Sequence, residues 1–529
     1  MNRIIRKPEG GRLGPIDSFD LLLALGSGVL LIFSFPKFGT GLVAWISLLP
    51  LLYALRGKNA SQGFLLGLAT GFTSQIGVMY WIAYVVVNYG YLPYPVGIAA
   101  MLLLSGYLGL FTGMFAAAAA HLRGVCRLPF LLTAPVLWTA LEFGKSHLLT
   151  GFPWENLGYS QYLNLPIIQI ADVAGVYGVS FLIVFVNALI FEAVFIHRGK
   201  GERKERTVKI VAVLGIMALL FGYGMMRLKD IDMAASPPSM TVRITQGNVD
   251  QSVKWNPAYQ LETIAAYAAL SRSESVTEPA LIVWPETAYP AFFQDVNDLH
   301  REVVGLVKSK AAWFLIGSPA YTTKRGETVL FNSAFLLTPE GAIAGRYDKV
   351  HLVPYGEYVP LRKFFPFVNK LVAGIGDFGV GPGYYPLTMN SRRLGVLICY
   401  EGIFPAAARD YKRRGADFLV NITNDAWFGR TSAPYQHLSM TVFRAVENRL
   451  DVVRAANTGI SARIDAAGRI DGRSELFRTA FQDVKVRFYD KGTFYAAWGD
   501  VFVYLCITAA VLFFIIIPIR RKRDVGRDK

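Results

Sequence analysis

The chain has 529 residues, 53% hydrophobic and 17% charged, with a formal net charge of +16. That composition, with a mean hydropathy of +0.36, excludes an ordinary soluble globular protein and leaves room for a membrane part plus a soluble domain. The lysines and arginines stand in short clusters between apolar runs, so the charge reads as membrane orientation and excludes a nucleic-acid surface.

Arg3, Arg6, Lys7 and Arg12 precede a first apolar run at about 21–36, signal-like in charge and length but with no small-residue cleavage site after it. A second run, about 41–55, ends at Arg56 and Lys58. Both are short for a span of about 20 residues, which predicts a tilted hairpin. Further spans are predicted at about 64–87, 96–122, 130–143, 173–196 and 210–226, with a last one at about 501–519. With the N-terminus inside, the basic loops at 56–58, 123–127 and 197–209 all fall on the cytoplasmic side, and Arg520-Arg521-Lys522-Arg523 lands there too. The opposite loops hold little beyond Lys37 and Lys145.

The expected organisation is therefore a membrane domain of seven helices over 1–226, an outer domain over 227–498, and a C-terminal transmembrane helix with a basic tail over 499–529. In the outer segment, 280–284, 312–316, 333–337, 393–398 and 418–422 read as strands, and 258–271, 297–310 and 406–414 as helices. This is the pattern of an α/β domain with buried strands. No internal repeat or low-complexity tract interrupts it.

Three polar groups lie in or just beyond strand-like runs. Glu286 follows Val283-Trp284-Pro285, Lys349 lies in the alternating run Gly345 to Pro354, and Cys399 ends Leu394 to Ile398. Ligand sites in open α/β sheets gather at the carboxyl ends of strands, which favours joint use. Cys399 meets the start of the helix that Pro405 opens. Unpaired N–H groups and the helix dipole there lead to the expectation of a stabilised thiolate. Alone, each residue has a plainer account: a small buried hydrophobe for Cys399, solvated polar residues for the other two. Cys126, Cys399 and Cys506 lie too far apart for a disulfide framework, so Cys399 reads as a working thiol.

The order Trp-Pro-Glu (284–286), Tyr-Asp-Lys-Val-His-Leu-Val-Pro-Tyr-Gly-Glu (347–357), Ile-Cys-Tyr-Glu (398–401) and Asn-Asp-Ala-Trp-Phe (424–428) resembles the nitrilase superfamily with its Glu-Lys-Cys triad. With seven apolar runs before and one after, the whole chain resembles that superfamily's apolipoprotein N-acyltransferase branch. The resemblance implies a multi-span α-helical membrane domain plus a nitrilase-like αββα sandwich. Carried over by residue, it makes Cys399 the nucleophile, Glu286 the general base and Lys349 the cation beside the oxyanion, with the backbone N–H of Tyr400 as a second donor. Glu357 matches a second glutamate that orients the lysine and the acceptor. Tyr400, Glu401, Trp427 and Trp255 match positions lining the pocket.

It also implies transfer of an acyl chain from sn-1 of a phospholipid, phosphatidylethanolamine, to the α-amino group of a diacylglyceryl-cysteine at an apolipoprotein's N-terminus. It implies no cofactor and no metal, a monomer, a bilayer partner, and a bacterial inner membrane with both termini cytoplasmic and the catalytic domain periplasmic. Rival readings are a membrane-anchored amidase using water as acceptor, and a transporter or receptor whose outer domain only binds.

The loop 358–385, with Phe364-Phe365-Pro366-Phe367-Val368, is too apolar for plain solvent contact and reads as a lid. Gly374, Gly376 and Gly379 match GxGxxG without the strand and helix that a dinucleotide site needs, so they read as hinges. His351 and His437 lack metal-ligand spacing and read as satisfied loop histidines. Trp154 and Glu155 read as an interfacial anchor in an outer loop. Glu142 and Asp172 sit near outer span ends, where charge is tolerable.

Overall fold

The computed structural model of the chain describes residues 15–196, 203–233, 238–252, 254–274, 276–324, 326–359 and 378–527, with the backbone alone given at 196, 203–206, 324 and 516–527. The expected lid segment Phe364–Val368 and the hinge residues Gly374 and Gly376 lie outside these described residues.

The first half is helical. Ser18–Ile32 begins at a capping box in which Asp17 and Asp20 each accept the other's backbone N–H, and Asn59 with Gln62 repeats the device at Ala60–Met79. The helix Ala60–Met79 lies against Tyr94–Cys126 through glycines. A Cβ added at Gly67 would stand 2.4 Å from that of Ala116, and one at Gly71 would stand 2.9 Å from the Cα of Gly109. Small residues thus let two apolar helices approach backbone to backbone, the packing device available in lipid.

By length and composition, three described helices suffice to cross a membrane: Tyr94–Cys126, Ala171–Phe195 and Thr207–Asp232. A fourth counts if Ala60–Met79 and Trp81–Asn88 form one span, but they are bent by 49°, so the run expected at 64–87 is broken rather than straight. The runs Ser18–Ile32, Gly41–Ala54 and Val501–Ile515 form shorter apolar helices.

The second half builds two six-stranded sheets. We number β1 Ser239–Gln246, β2 Leu281–Val283, β3 Trp313–Lys324, β4 Glu327–Leu337, β5 Ile343–Asp348, β6 Leu387–Met389, β7 Arg392–Ile398, β8 Phe418–Thr423, β9 Val452–Ala456, β10 Ala462–Ile464, β11 Ile470–Asp471 and β12 Ala480–Arg487. One sheet runs β12-β1-β2-β3-β4-β5, the other β11-β10-β9-β8-β7-β6. Strands β1, β2 and β3 are parallel, as are β7, β8 and β9.

Alternation along β2 sorts the layers. Leu281 and Val283 share a core with Val396 and Val420 of the other sheet, whereas Ile282 joins Tyr267 and Val307 from the helices Pro257–Arg272 and Asp298–Lys310. Pro405–Arg413 and Ala433–Asn448 supply helices for the second sheet, giving the αββα sandwich. All five predicted strands exist, β3 and β4 being longer than expected. Lys349 is not inside a strand but one residue past β5, because the ladder to β4 ends at the pair Ser333–Asp348.

The two halves are docked by buried polar contacts. Trp154 is only 1% exposed, and its indole N–H donates to Gln436 Oε1 at 2.9 Å, as does that of Trp81 at 3.2 Å. Glu155 accepts from Ser439. The interfacial-anchor expectation for these two residues is therefore corrected: they face the sheet-bearing half, since a buried indole N–H needs an acceptor that lipid cannot offer.

Asp172 is a junction as well, taking Arg449 and Arg227 at 2.7 Å each and the Tyr223 hydroxyl at 2.7 Å. Asp172→Ala strands the Arg449 cation in the interior, so it is expected to cost about 3–5 kcal/mol. A lowered thermal midpoint of the detergent-solubilised chain would be the readout, with unchanged stability contradicting the assignment.

Candidate active site

Each proposed reacting group stands just past a strand end. Glu286 follows β2 at a turn where Thr287 adopts φ +49°. The turn passes so close to β3 that a Cβ on Gly317 would stand 2.3 Å from the Pro285 carbonyl oxygen. Glu286 is buried, with Oε1 accepting from Asn332 Nδ2 at 2.7 Å and Oε2 from the backbone N–H of Asn424 at 2.8 Å. Asn332 also donates to Glu357 Oε1 at 2.9 Å. One amide thus spaces two carboxylates, which would otherwise repel at close range.

Lys349 is 1% exposed and is held by Glu357 at 3.0 and 2.9 Å. Burial disfavours the ammonium, but Glu357, then Glu286 and Cys399, hold its pKa above the usual lysine range. The cation is therefore permanent. Glu357 in turn accepts the Val353 N–H at 2.8 Å, so the loop after β5 closes onto its own lysine.

Cys399 ends β7 with φ +52°, a left-handed conformation that costs a side-chain-bearing residue about 1–3 kcal/mol. Its carbonyl is pinned by His437 Nε2 at 3.1 Å and by Asn421 Nδ2 at 3.4 Å. Behind it, Arg454 donates to Asp425 Oδ2 at 2.8 Å, lies 3.1 Å from His437 Nδ1, and also bonds Asn421. Burial and then Arg454 lower the His437 pKa, opposed by Asp425, whose Oδ1 lies 3.1 Å from Nδ1. His437 is a satisfied histidine, but it lies in the helix Ala433–Asn448 rather than a loop.

The expectation of a resting thiolate is corrected. Burial, then the charge of Glu286, push the Cys399 pKa up, with Lys349 opposing. Desolvation outweighs the dipole of the short turn Cys399–Ile403, so the resting sulfur is a thiol. The thiolate fraction at any pH is then smaller than for an ordinary cysteine of pKa about 8.5. Alkylation of the Cys399 peptide by iodoacetamide is expected to be slow at pH 8 and to keep climbing through pH 10. A plateau near pH 8, seen by peptide mass spectrometry, would contradict this.

The supporting residues divide. Glu401 is wholly buried. It accepts Tyr347 OH at 2.8 Å and the N–H groups of Val350 at 2.7, His351 at 3.0 and Ile398 at 2.7 Å. Burial raises its pKa to about 7 against those donors. Its geometry ties the Lys349 turn to β7. Tyr400 is buried beside His351, Phe404 and Phe152. His351 is pushed down to about 4 by burial and then Lys349.

Trp427 is half-buried, edge-on to Tyr89 of the membrane half at 4.9 Å. Trp255 is 36% exposed. Its neighbour Lys254 is buried and donates to the Glu286 carbonyl at 3.1 Å and to Thr287 Oγ1 at 2.6 Å. Burial takes the Lys254 pKa down to about 8, Glu286 opposing. Lys254, Asn332, Asp425 and Arg454 escaped the sequence reading; Asp425, in Asn-Asp-Ala-Trp-Phe, was the one with a signal.

Residues 27–189 match the family described as apolipoprotein N-acyltransferase N-terminal domain, and 241–505 match carbon-nitrogen hydrolase. A Geobacter metallireducens protein named apolipoprotein N-acyltransferase is 46% identical over 517 residues, covering 96% of this chain and 97% of that protein. A Haemophilus influenzae protein of the same name is 30% identical over 519 residues, covering 96% and 97%. The crystal structure of a carbon-nitrogen hydrolase from Helicobacter pylori G27 aligns at TM-score 0.36 and 17% identity, over 47% of this chain and 89% of that one.

Proposed function

The chain belongs to the apolipoprotein N-acyltransferase family, and on that premise we propose that Cys399 carries an acyl group from a phospholipid to the α-amino group of a diacylglyceryl-cysteine. The reaction class is lipoprotein N-acylation by a nitrilase-type acyltransferase. The observation that supports the residue roles is the convergence of Glu286, Lys349 and Cys399 from three strand ends, with Glu357 clamping the ammonium.

The chemistry follows from those positions. The Cys399 thiol gives its proton to the Glu286 carboxylate as sulfur bonds the ester carbonyl carbon of the donor. The oxyanion that develops meets the Lys349 ammonium and the Tyr400 N–H. Its collapse breaks the bond to the glycerol oxygen, which takes the proton from Glu286 and leaves as a lysophospholipid. In the second half, the acceptor amine attacks the thioester carbon, and Glu286 takes the amine's proton. Sulfur leaves and is reprotonated, so an amide has replaced an ester in two moderate steps. We place the catalytic half over 227–498 on the outer face of a bacterial inner membrane, between the membrane helices of 1–226 and the last helix in 499–529. The protein acts there as a monomer with both termini cytoplasmic, and both lipid-anchored substrates diffuse to it in the outer-facing leaflet.

The test is intact-mass and peptide analysis of the full chain after incubation with phosphatidylethanolamine, followed by a diacylglyceryl-cysteine peptide. Acyl mass on the Cys399 peptide, discharged by the peptide amine, is the expected outcome. Free fatty acid as the dominant product would favour the water-using amidase, and no acyl mass at all would refute the thioester route.

A further inference from the structure

Three cations from separate parts of the chain lie around Tyr435 and the chain beside it, where the two halves meet. Lys37 follows the helix Ser18–Ile32, Arg430 follows the turn Asp425–Phe428, and Arg473 lies between β11 and β12. Lys37 Nζ lies 3.5 Å from the Arg430 carbonyl oxygen and 5.8 Å from the centre of the Tyr435 ring. The Arg473 guanidinium lies 5.4 Å from that same ring, and that of Arg430 lies 4.9 Å from the Phe477 ring.

All three are exposed, and among the described residues none of them is ion-paired. Neighbours in the sequence behave differently. Arg469 takes Asp232 and Asp465, and Arg463 takes Asp451 and Asp471. None of those carboxylates pairs with Lys37, Arg430 or Arg473 among the described residues. Aromatic faces orient the cations without neutralising them, which leaves three exposed positive charges to meet an anion.

Its setting says which anion. Next to Lys37, the apolar side chains of Phe38 and Leu42 are 56% and 73% exposed. Gly429, beside Arg430, is pressed against Tyr84 of the membrane half, where a Cβ would stand 2.5 Å from the ring. Tyr435 opens the helix whose His437 supports the Cys399 carbonyl. An anion here would carry apolar tails on one side and face the nucleophile's supporting helix on the other. Ammonium and guanidinium donors suit phosphate oxygens.

We propose that Lys37, Arg430 and Arg473 bind the phosphate of a phospholipid headgroup and so hold the acyl donor at the mouth of the site. This rests on the reading of Cys399 as the acceptor of a phospholipid acyl chain. It adds a headgroup determinant outside the residues that do the chemistry.

The experiment uses the full chain in detergent, with Lys37→Gln, Arg430→Gln and Arg473→Gln combined, and with Lys37→Arg, Arg430→Lys and Arg473→Lys as the charge-keeping control. Acyl-enzyme formation is followed with phosphatidylethanolamine and, separately, with an uncharged p-nitrophenyl acyl ester. The neutral triple variant is expected to raise the KM for phospholipid about tenfold or more, while its ester reaction is unchanged. The charge-keeping variant should stay within about threefold of the starting protein. Equal phospholipid KM in the neutral variant overturns the proposal, and so does an equal loss with the ester.

Calorimetric titration with dihexanoyl phosphatidylethanolamine, and with inorganic phosphate, separates the two sources of the same chemistry. Lipid binding weakened by the neutral substitutions supports the site. Phosphate binding with no charge-dependent lipid binding overturns it. If lipid binding depends on the three cations but no acyl mass reaches Cys399, the headgroup site stands and the functional reading fails.

Discussion

Cys399→Ala is expected to leave a folded protein that acquires no acyl mass from phospholipid and loses turnover by on the order of 10⁴-fold or more. The change removes one sulfur from a buried site, so the stability loss should stay near about 1 kcal/mol. The fold around it is held by groups that remain: the residue 399 carbonyl keeps His437 and Asn421, and Glu286 keeps Asn332 and the Asn424 N–H. A near-normal melting profile with absent acylation is thus the signature of a lost nucleophile. Residual transfer at more than a few per cent would mean that the amine attacks the ester directly, and the thioester would be dispensable.

The parts of this arrangement were legible to different degrees for physical reasons. Strand-end placement marked Glu286 and Cys399 only weakly, since each alone has a plainer account, and the order of their motifs made them visible together. Lys349 was visible through its motif, although the ladder stops one residue before it. Asn332 carried no such mark. It is one polar residue in β4, and only the pairing of β4 with β5 sets it between two glutamates.

Burial effects were equally hidden. The helix-start argument for a thiolate is local, whereas the desolvation that reverses it comes from burial in the folded chain. Trp154 shows the same limit at greater range. Its aromatic loop context favours lipid headgroups, yet its partner Gln436 lies 282 residues away. The arginine clusters gave the predicted orientation by counting alone, but the break between Met79 and Trp81 is invisible to hydropathy, which reads straight through it.

Lys349→Met should lower kcat by about 10²–10³-fold, since one charged partner of the oxyanion is removed. It also leaves Glu357 with Asn332 and the Val353 N–H but without its cation. A stability loss of about 3–5 kcal/mol from that buried, unpaired carboxylate would confound the kinetic result. Pairing Lys349→Met with Glu357→Gln separates the two effects, because the double variant no longer buries an uncompensated charge there. Stability is expected to recover while acylation does not, so the coupling between the two sites appears in the melting temperature and not in kcat. If acylation recovered as well, the ammonium would be a structural counter-ion for Glu357. Oxyanion stabilisation would then fall to backbone N–H groups such as that of Tyr400.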